Sequence, residues 1–286
     1  MTKIFSRPLL KQEGKNALVG NWPVAIVIML IGAVGSLIIS FISQGGNFTS
    51  PEFTLDTVDM IYSTNVDAGS VGTLALIGSI LGILFSGAYQ MAQSKWYLDI
   101  VERNPNVSIG DFFGHFSLVG KGILASLWMS LWTTIWMLIG IIPFAILLSI
   151  VIARGAGGSE PSAIFIILLI LSVLVMLAIA IWKGISYSQM YNIIADHPEI
   201  GVRESMRLSI EITKDYLGEL VMLGISFIGW ILLTAVTCGL AAFYVQPYMN
   251  ATYAATYFFL RDQALEKGLI SPETFGLRRV EEEIVE

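Results

Sequence analysis

Six long apolar segments constrain the fold of this chain more than any other feature of its sequence. They lie at about 22–43, 71–94, 120–152, 162–189, 219–238 and 241–260. A helix needs about 20 mainly apolar residues to cross the hydrocarbon core of a bilayer, and each segment has about that length. A soluble fold of 286 residues could not bury a composition that is 55% apolar and only 13% charged. We therefore predict an all-α, polytopic integral membrane protein with six transmembrane helices.

The lysine and arginine residues fall almost entirely on one side of the six predicted spans. Of the 16 basic residues, 15 lie in the N-terminal segment, in the second-to-third and fourth-to-fifth connections, or after the last span. Arg154 lies on the other side, and the predicted outer loop 45–70 contains acidic residues and no basic residue. Because cytoplasmic loops are enriched in Lys and Arg, we predict that both termini are cytoplasmic. Residues 1–260 would form one helical membrane domain, and 261–286 a charged cytoplasmic tail.

An internal repeat with an offset of 93 residues relates two of the cytoplasmic connections. Residues 97–113 align with 190–206 when Pro105 is placed over Pro198. In each copy a span ends, a turn with proline follows, and an amphipathic stretch leads into the next span. Proline suits this position because it disfavours helix in the residue before it and fits the first turn of a new helix.

The stretch that follows Pro198 has the pattern of an amphipathic interfacial helix. Val202, Met206, Ser209 or Ile210, Thr213 and Leu217 recur at helical spacing, with charged residues between them. Residues 4–18 show the same pattern before the first span, although an ordinary inner loop would also account for it. We predict three hairpin units, each preceded by a cytoplasmic interfacial amphipathic helix.

Polar residues recur at helical spacing along three of the predicted spans. The candidate ligand-binding stripe contains Gln90, Gln93, Lys183, Ser186, Gln246 and Asn250. Amide groups in hydrocarbon must find partners, so these faces should point toward the protein interior. One interpretation is a shared polar cavity open to the cytoplasm, with Lys183 as its cation. The other is structural hydrogen bonding, with Lys183 extending to the membrane interface.

Small residues at four-residue spacing predict where the helices approach one another. Gly78, Gly82 and Ser86 share one face of the second span, and Gly32 and Ser36 share one face of the first. Such faces allow close helix packing in lipid. They would serve as packing contacts within the chain or as contacts of a dimer.

The sequence carries no signature of catalysis, metal binding or cofactor binding. His115 and His197 lie in predicted cytoplasmic connections without the spacing of a metal site. Cys238 is the single cysteine and stands in an apolar run without a neighbouring base. We therefore expect no enzymatic activity, no catalytic residue, no metal and no cofactor.

Two stretches near the C-terminus resemble a known family. They are "ISYSQMYNIIADHPEIGVRESMRLSIEI" and "ISFIGWILLTAVTCGLAAFYVQPYMNATYAATYF", and the likeness extends more loosely to "RPLLKQEGKNALVGNW" and "GDFFGHF". These residues resemble the bacterial membrane proteins of domain-of-unknown-function family DUF975. The resemblance implies a multi-pass protein of the bacterial plasma membrane, and it implies no activity and no catalytic residues.

Three functional classes follow from these observations. The first is a non-enzymatic membrane protein that binds or moves a small or amphiphilic molecule through a polar inter-helix cavity. The second is an accessory or scaffold protein that organises another membrane complex, and the third, an intramembrane enzyme, is disfavoured because no nucleophile and base are paired. The expected partners are membrane lipids and either another membrane protein or a second copy of the chain, with no nucleic acid.

Overall fold

A computed structural model of the protein describes residues 5–43, 68–102, 107–114, 118–158 and 162–270. Within these ranges the chain forms helices and turns. The helices are α1 (Arg7–Ala17), α2 (Trp22–Ser43), α3 (Ala68–Val101), α4 (Ile109–Gly114), α5 (Val119–Ala156), α6 (Ala163–Tyr187), α7 (Met190–Asp196), α8 (Val202–Thr213), α9 (Leu217–Ile225), α10 (Ile228–Val236) and α11 (Ala242–Glu266). Several features discussed above lie outside the described residues: most of the predicted outer loop 45–70, Arg103, Pro105, His115 and the tail beyond residue 270.

Among the described residues, five helical stretches are long and apolar enough to cross a membrane. They are Trp22–Ser43, Thr73–Val101, Val119–Ala156, Ala163–Asp196 and Val202–Val236. An all-helical protein with several candidate membrane helices therefore agrees with the prediction. The sixth predicted span coincides with α11, whose polar residues lower its hydropathy and whose side chains are mostly buried in the protein.

The fifth predicted span, 219–238, is interrupted near its middle. Helix α9 ends at Ile225 and α10 begins at Ile228, with the amide of Phe227 donating to the Gly224 carbonyl at 3.0 Å. A turn of five residues then joins α10 to α11, with positive φ at Cys238 (49°) and Gly239 (90°). The left-handed conformation ends the helix and reverses the chain direction.

Helix α3 is the centre of the bundle and packs against α2, α5, α7 and α11. Glycines allow the closest approaches. A Cβ atom on Gly32 of α2 would lie 2.5 Å from the Tyr89 ring, and one on Gly122 of α5 would lie 2.4 Å from the Gly87 carbonyl oxygen. A Cβ on Gly78 would lie 2.4 Å from that of Ser43. The faces with Gly32 and Gly78 are therefore packing contacts within the chain.

Helix α1 runs lengthwise and antiparallel along α11. The ring of Phe5 lies 5.3 Å from that of Phe259, and Trp22, at the start of α2, stacks on Tyr244 at 4.9 Å. Between these contacts, a Cβ on Gly14 would lie 2.6 Å from the Thr252 backbone nitrogen. The helix predicted over residues 4–18 thus exists as α1, and one of its sides packs on protein.

Helix α8 is amphipathic as its sequence pattern predicts, and its inner face is covered by protein. Val202, Met206, Ser209 and Thr213 are all buried, whereas Ile210 is 39% exposed. The neighbours of this helix are α5, α6, α7 and α11. Of the two residues that the pattern allowed on the inner face, Ser209 and Ile210, it is therefore Ser209 that lies there.

The connection between α7 and α8 is held by contacts from distant parts of the chain. The Lys121 ammonium donates to the Pro198 carbonyl oxygen, and it lies 3.5 Å from that of Ile200. The Asp196 carboxylate accepts from the Tyr257 hydroxyl at 2.7 Å and from the Arg261 guanidinium at 2.9 Å. The polar stretch between the apolar segments therefore ties α5, α7 and α11 together.

Candidate functional site

A cavity of about 540 Å³ lies between α3, the α6–α7 segment, α9 and α11. Its size falls within the range of small-molecule sites, which is roughly 300–1,000 Å³. The lining residues are Gln90, Gln93, Ser94, Tyr97, Ala180, Ile181, Gly184, Ile185, Ser188, Gln189, Tyr191, Asn192, Leu220, Val221, Gly224, Ile225, Asn250 and Tyr253. Amide and hydroxyl groups come mainly from α3, α7 and α11, and α9 supplies an apolar wall.

Hydrogen bonds hold two of these polar residues in place. The Gln93 amide nitrogen donates to the Tyr89 hydroxyl at 2.9 Å, and that hydroxyl donates to the Ile28 carbonyl oxygen at 3.2 Å. Asn250 hydrogen-bonds the side chain of Tyr97. The polar wall is thus fixed to α2 and α11 through partners that leave part of each amide available to the cavity.

The junction of α6 and α7 is fixed by Ser209 of α8. Its hydroxyl donates to the Ser186 carbonyl oxygen at 2.8 Å and accepts from the Gln189 amide nitrogen at 3.2 Å. Both groups are left without a helical partner where α6 ends. The Asn192 side chain in turn donates to the Gln189 side-chain oxygen at 2.9 Å. Ser209 therefore positions two amides of the cavity wall.

The cavity opens sideways between α6 and α9. Ile181 on α6 is 44% exposed and Ile225 on α9 is 47% exposed, and both line the cavity. Exposed apolar residues continue along α6 beyond this rim. In a membrane these surfaces face acyl chains, so a ligand can place a polar group inside the cavity and an apolar chain outside it.

The lining is uncharged over the part of the chain that the structure describes. An ionised ligand would have to give up hydration without a counter-charge, which is costly in a low-dielectric site. Amides and hydroxyls both donate and accept hydrogen bonds. The cavity is therefore suited to an uncharged, hydrogen-bonding group.

The structure brings together three of the six predicted stripe residues. Gln90, Gln93 and Asn250 line the cavity, whereas Lys183, Ser186 and Gln246 lie outside its described lining. The Lys183 ammonium lies 3.8 Å from the ring centroid of Trp136 and 4.2 Å from that of Trp182. Aromatic faces attract cations, so Lys183 points toward these rings and does not supply a cation to the cavity. The Ser186 hydroxyl donates to the Trp182 carbonyl oxygen of its own helix at 2.8 Å.

A second cavity, of about 280 Å³, accounts for Gln246. It is lined by Met29, Gly32, Ala33, Ser36, Phe85, Ser86, Tyr89, Gln90 and Gln246. Gln90 is the residue common to both linings. Four of the six predicted stripe residues thus line two adjoining cavities, and Lys183 and Ser186 lie outside both linings.

Asn192, Gly184 and the apolar wall of α9 belong to the cavity and were missed by sequence reasoning. Asn192 follows Gln189 by three residues, which continues the polar spacing of the fourth span and could have indicated it. Gly184 and Val221 carry no such signal, because their role depends on how α6 and α9 are placed relative to each other.

The cavity wall α9 is tied to α1 by a lysine. The Lys11 ammonium donates to the Ser226 carbonyl oxygen at 3.0 Å and lies 4.1 Å from the Phe227 ring centroid. A positive charge at the end of α9 matches the helix dipole. Burial lowers the pKa of Lys11, and the nearby Arg7 lowers it further.

Comparison with known proteins places the whole bundle in one family. No curated protein and no solved structure matches the chain. The family profile described as "Protein of unknown function (DUF975)" matches residues 4–264, which include α1 and nearly all of α11. The chain therefore belongs to the DUF975 family.

Proposed function

We propose that this protein is a non-enzymatic, multi-pass membrane protein that binds an amphiphile with an uncharged, hydroxyl-bearing headgroup. The observation that carries the proposal is the 540 Å³ cavity, which has an uncharged amide and hydroxyl lining and a rim of exposed apolar residues. The headgroup would occupy the polar interior beside Gln93, Gln189 and Asn250. The acyl chains would leave through the opening between α6 and α9.

The ligand class follows from what the cavity can satisfy. A sugar or glycerol hydroxyl donates one hydrogen bond and accepts others, as amide side chains also do. A phosphate headgroup would instead call for a cation, and the two lysines nearest in sequence to the lining are engaged elsewhere. Lys183 of the stripe lies against Trp136 and Trp182. Lys95, next to Ser94 of the lining, pairs with Asp99 at 3.0 Å. Binding of a neutral glycolipid is therefore favoured over binding of an anionic phospholipid.

The membrane arrangement is part of the same proposal. The turn between α10 and α11 would lie within the membrane, because Tyr244 near the start of α11 stacks on Trp22 at the cytoplasmic start of the first span. The last hairpin would therefore enter the membrane from the cytoplasmic side, with α11 returning beside α1. The short helices α1, α4 and α8 precede the three pairs of longer segments. With the basic residues inside, both termini would be cytoplasmic in a bacterial plasma membrane.

The scaffold function remains the second candidate, with weaker support. An organiser is expected to have a filled core and an external groove for its partner. The exposed apolar residues of α5 and α6 would suit a membrane partner, but lipid would cover them equally well. The cavity therefore favours ligand binding.

Filling the cavity tests the proposal. A Cβ on Gly184, which lines the cavity, would meet no atom within 4 Å, so Gly184→Leu should fold while occupying ligand space. Gly229→Leu on α10 is a matched control, because Gly229 also has open space at Cβ and lies outside the lining. The probe is monoglucosyl diacylglycerol with a photoactivatable acyl chain, added to the purified protein in nanodiscs.

We expect the wild type and Gly229→Leu to be photolabelled to similar extents and Gly184→Leu to be labelled much less. The labelled peptides should come from α6 and α9, which form the rim. Equal labelling of all three proteins would show that the lipid binds elsewhere or nonspecifically and would refute the site. A phosphatidylglycerol probe should label more weakly than the glycolipid.

A further inference from the structure

The two cavities are stacked along a pair of neighbouring helices. On α3, the smaller cavity is lined by residues between Phe85 and Gln90, and the larger by residues between Gln90 and Tyr97. On α11, the smaller cavity is lined by Gln246, and the larger by Asn250 and Tyr253. These helices pack against each other, and the order of the cavities is the same on both. The cavities therefore follow one another along the long axis of the bundle.

Together the cavities extend over part of the thickness of a bilayer. From Phe85 to Tyr97, α3 rises about 18 Å at 1.5 Å per residue. The hydrocarbon core is about 30 Å thick. The part of this length from Phe85 to Ser94, about 13 Å, lies within the predicted second span 71–94, so a polar group that passed between the cavities would travel through part of the core beside protein.

Over the described part of the chain, neither the Gln90 nor the Gln246 side-chain amide has a hydrogen-bond partner in the protein. Both side chains are exposed, and Gln90 faces both cavities. An amide that is transferred to hydrocarbon without a hydrogen bond costs several kcal/mol. Their presence at membrane depth points to a polar group that visits them, and water or a headgroup can supply it.

We infer that the two cavities form a path for movement of an uncharged lipid headgroup across the bilayer, with Gln90 at the junction. This inference rests on the proposed function, because the larger cavity is the binding site from which movement starts. The headgroup would exchange its hydrogen bonds from Gln93 and Asn250 to Gln90 and then to Gln246. Its acyl chains would remain in the lipid beside the exposed residues that flank both cavities.

The smaller cavity offers a test that spares the binding site. Gln246→Leu removes an exposed amide that lines only the smaller cavity, and Ser36→Leu narrows the same cavity from α2. Thr134→Leu on α5 is the matched control, because Thr134 is exposed and lies outside both linings. Each protein is reconstituted into vesicles with fluorescent NBD-labelled monoglucosyl diacylglycerol in both leaflets. Dithionite bleaches only the outer leaflet, so bleaching beyond about half reports transbilayer movement.

We expect wild type and Thr134→Leu to accelerate movement of the glycolipid over protein-free vesicles. Gln246→Leu should slow it about tenfold, the factor that corresponds to one lost hydrogen bond of about 1.4 kcal/mol. Ser36→Leu should slow it as well, and photolabelling of the larger cavity should remain at the wild-type level in both variants. Gln246→Asn keeps an amide and should retain most of the rate.

Three results would overturn the path. The first is wild-type protein that is photolabelled but moves the glycolipid no faster than protein-free vesicles, which would leave the binding function intact. The second is Gln246→Leu and Ser36→Leu at the wild-type rate. The third is equal acceleration of NBD-phosphatidylglycerol, which would indicate a nonselective leak. Failure of the wild type to be labelled at all would instead remove the proposed function.

Discussion

The crossing of α3 and α5 allows a test in which alanine at two neighbouring glycines has different effects on stability, destabilising at one and not at the other. A Cβ on Gly122 would lie 2.4 Å from the Gly87 carbonyl oxygen and 2.8 Å from the Met91 Cβ, whereas one on Gly120 would meet no atom within 4 Å. Nonbonded atoms in ordinary contact are about 3.5 Å apart. Gly122→Ala therefore forces α3 and α5 to separate by roughly 1 Å, and Gly120→Ala does not.

The magnitudes follow from two opposing contributions. Alanine is favoured over glycine in a helix interior by about 1 kcal/mol, and less than that near a helix start such as Gly120. Overpacking typically costs about 1–3 kcal/mol, and at Gly122 the opposing atom is a backbone oxygen that cannot rotate away. We expect Gly122→Ala to lower the free energy of unfolding by about 1–2 kcal/mol. Gly120→Ala should leave it unchanged or raise it by a few tenths of a kcal/mol.

The measurement is unfolding of the purified protein by sodium dodecyl sulfate in mixed micelles, followed by far-ultraviolet circular dichroism. Reversibility is checked by refolding on dilution. If both alanine variants shift the midpoint in the same direction, close packing of α3 on α5 at Gly87 and Gly122 is not what determines stability there.

Two further predictions concern the polar connection and the orientation. Asp196→Asn should lower the free energy of unfolding by about 2 kcal/mol, because Asp196 and Arg261 are only 13% and 19% exposed and the change leaves Arg261 with the longer, 3.4 Å pair to the more exposed Asp262. Glu211→Gln, at the exposed Lys214 pair, is the control and should cost less than about 0.5 kcal/mol. Similar losses for the two variants would contradict the importance of burial. Arg154→Cys in a Cys238→Ser background should react with a membrane-impermeant maleimide added to intact cells, because Arg154 lies on the predicted outer side. Lys214→Cys in the same background should react only after lysis, and the opposite pattern would invert the predicted orientation.

The candidate site was accessible to sequence reasoning only in part. The spacing of Gln90 and Gln93 on one helix, and of Gln246 and Asn250 on another, predicts polar faces because helical periodicity is local. Which face meets which cavity depends on how the helices are arranged in space. Lys183 has the spacing of the stripe, yet its ammonium lies against Trp136, an aromatic residue 47 positions earlier in the chain. A local sequence pattern cannot indicate a contact between residues that are so far apart in the chain.

The sequence is enough to predict that this chain is helical and apolar enough to cross a membrane repeatedly, and that α8 has one apolar face. These properties depend on the length and periodicity of continuous segments. Tertiary structure alone decided that α1 lies along α11, that Ser209 holds the end of α6, and that Gln90 separates two cavities. Each of these depends on contacts between residues far apart in the chain, where glycines such as Gly14 and Gly122 allow one helix to approach another.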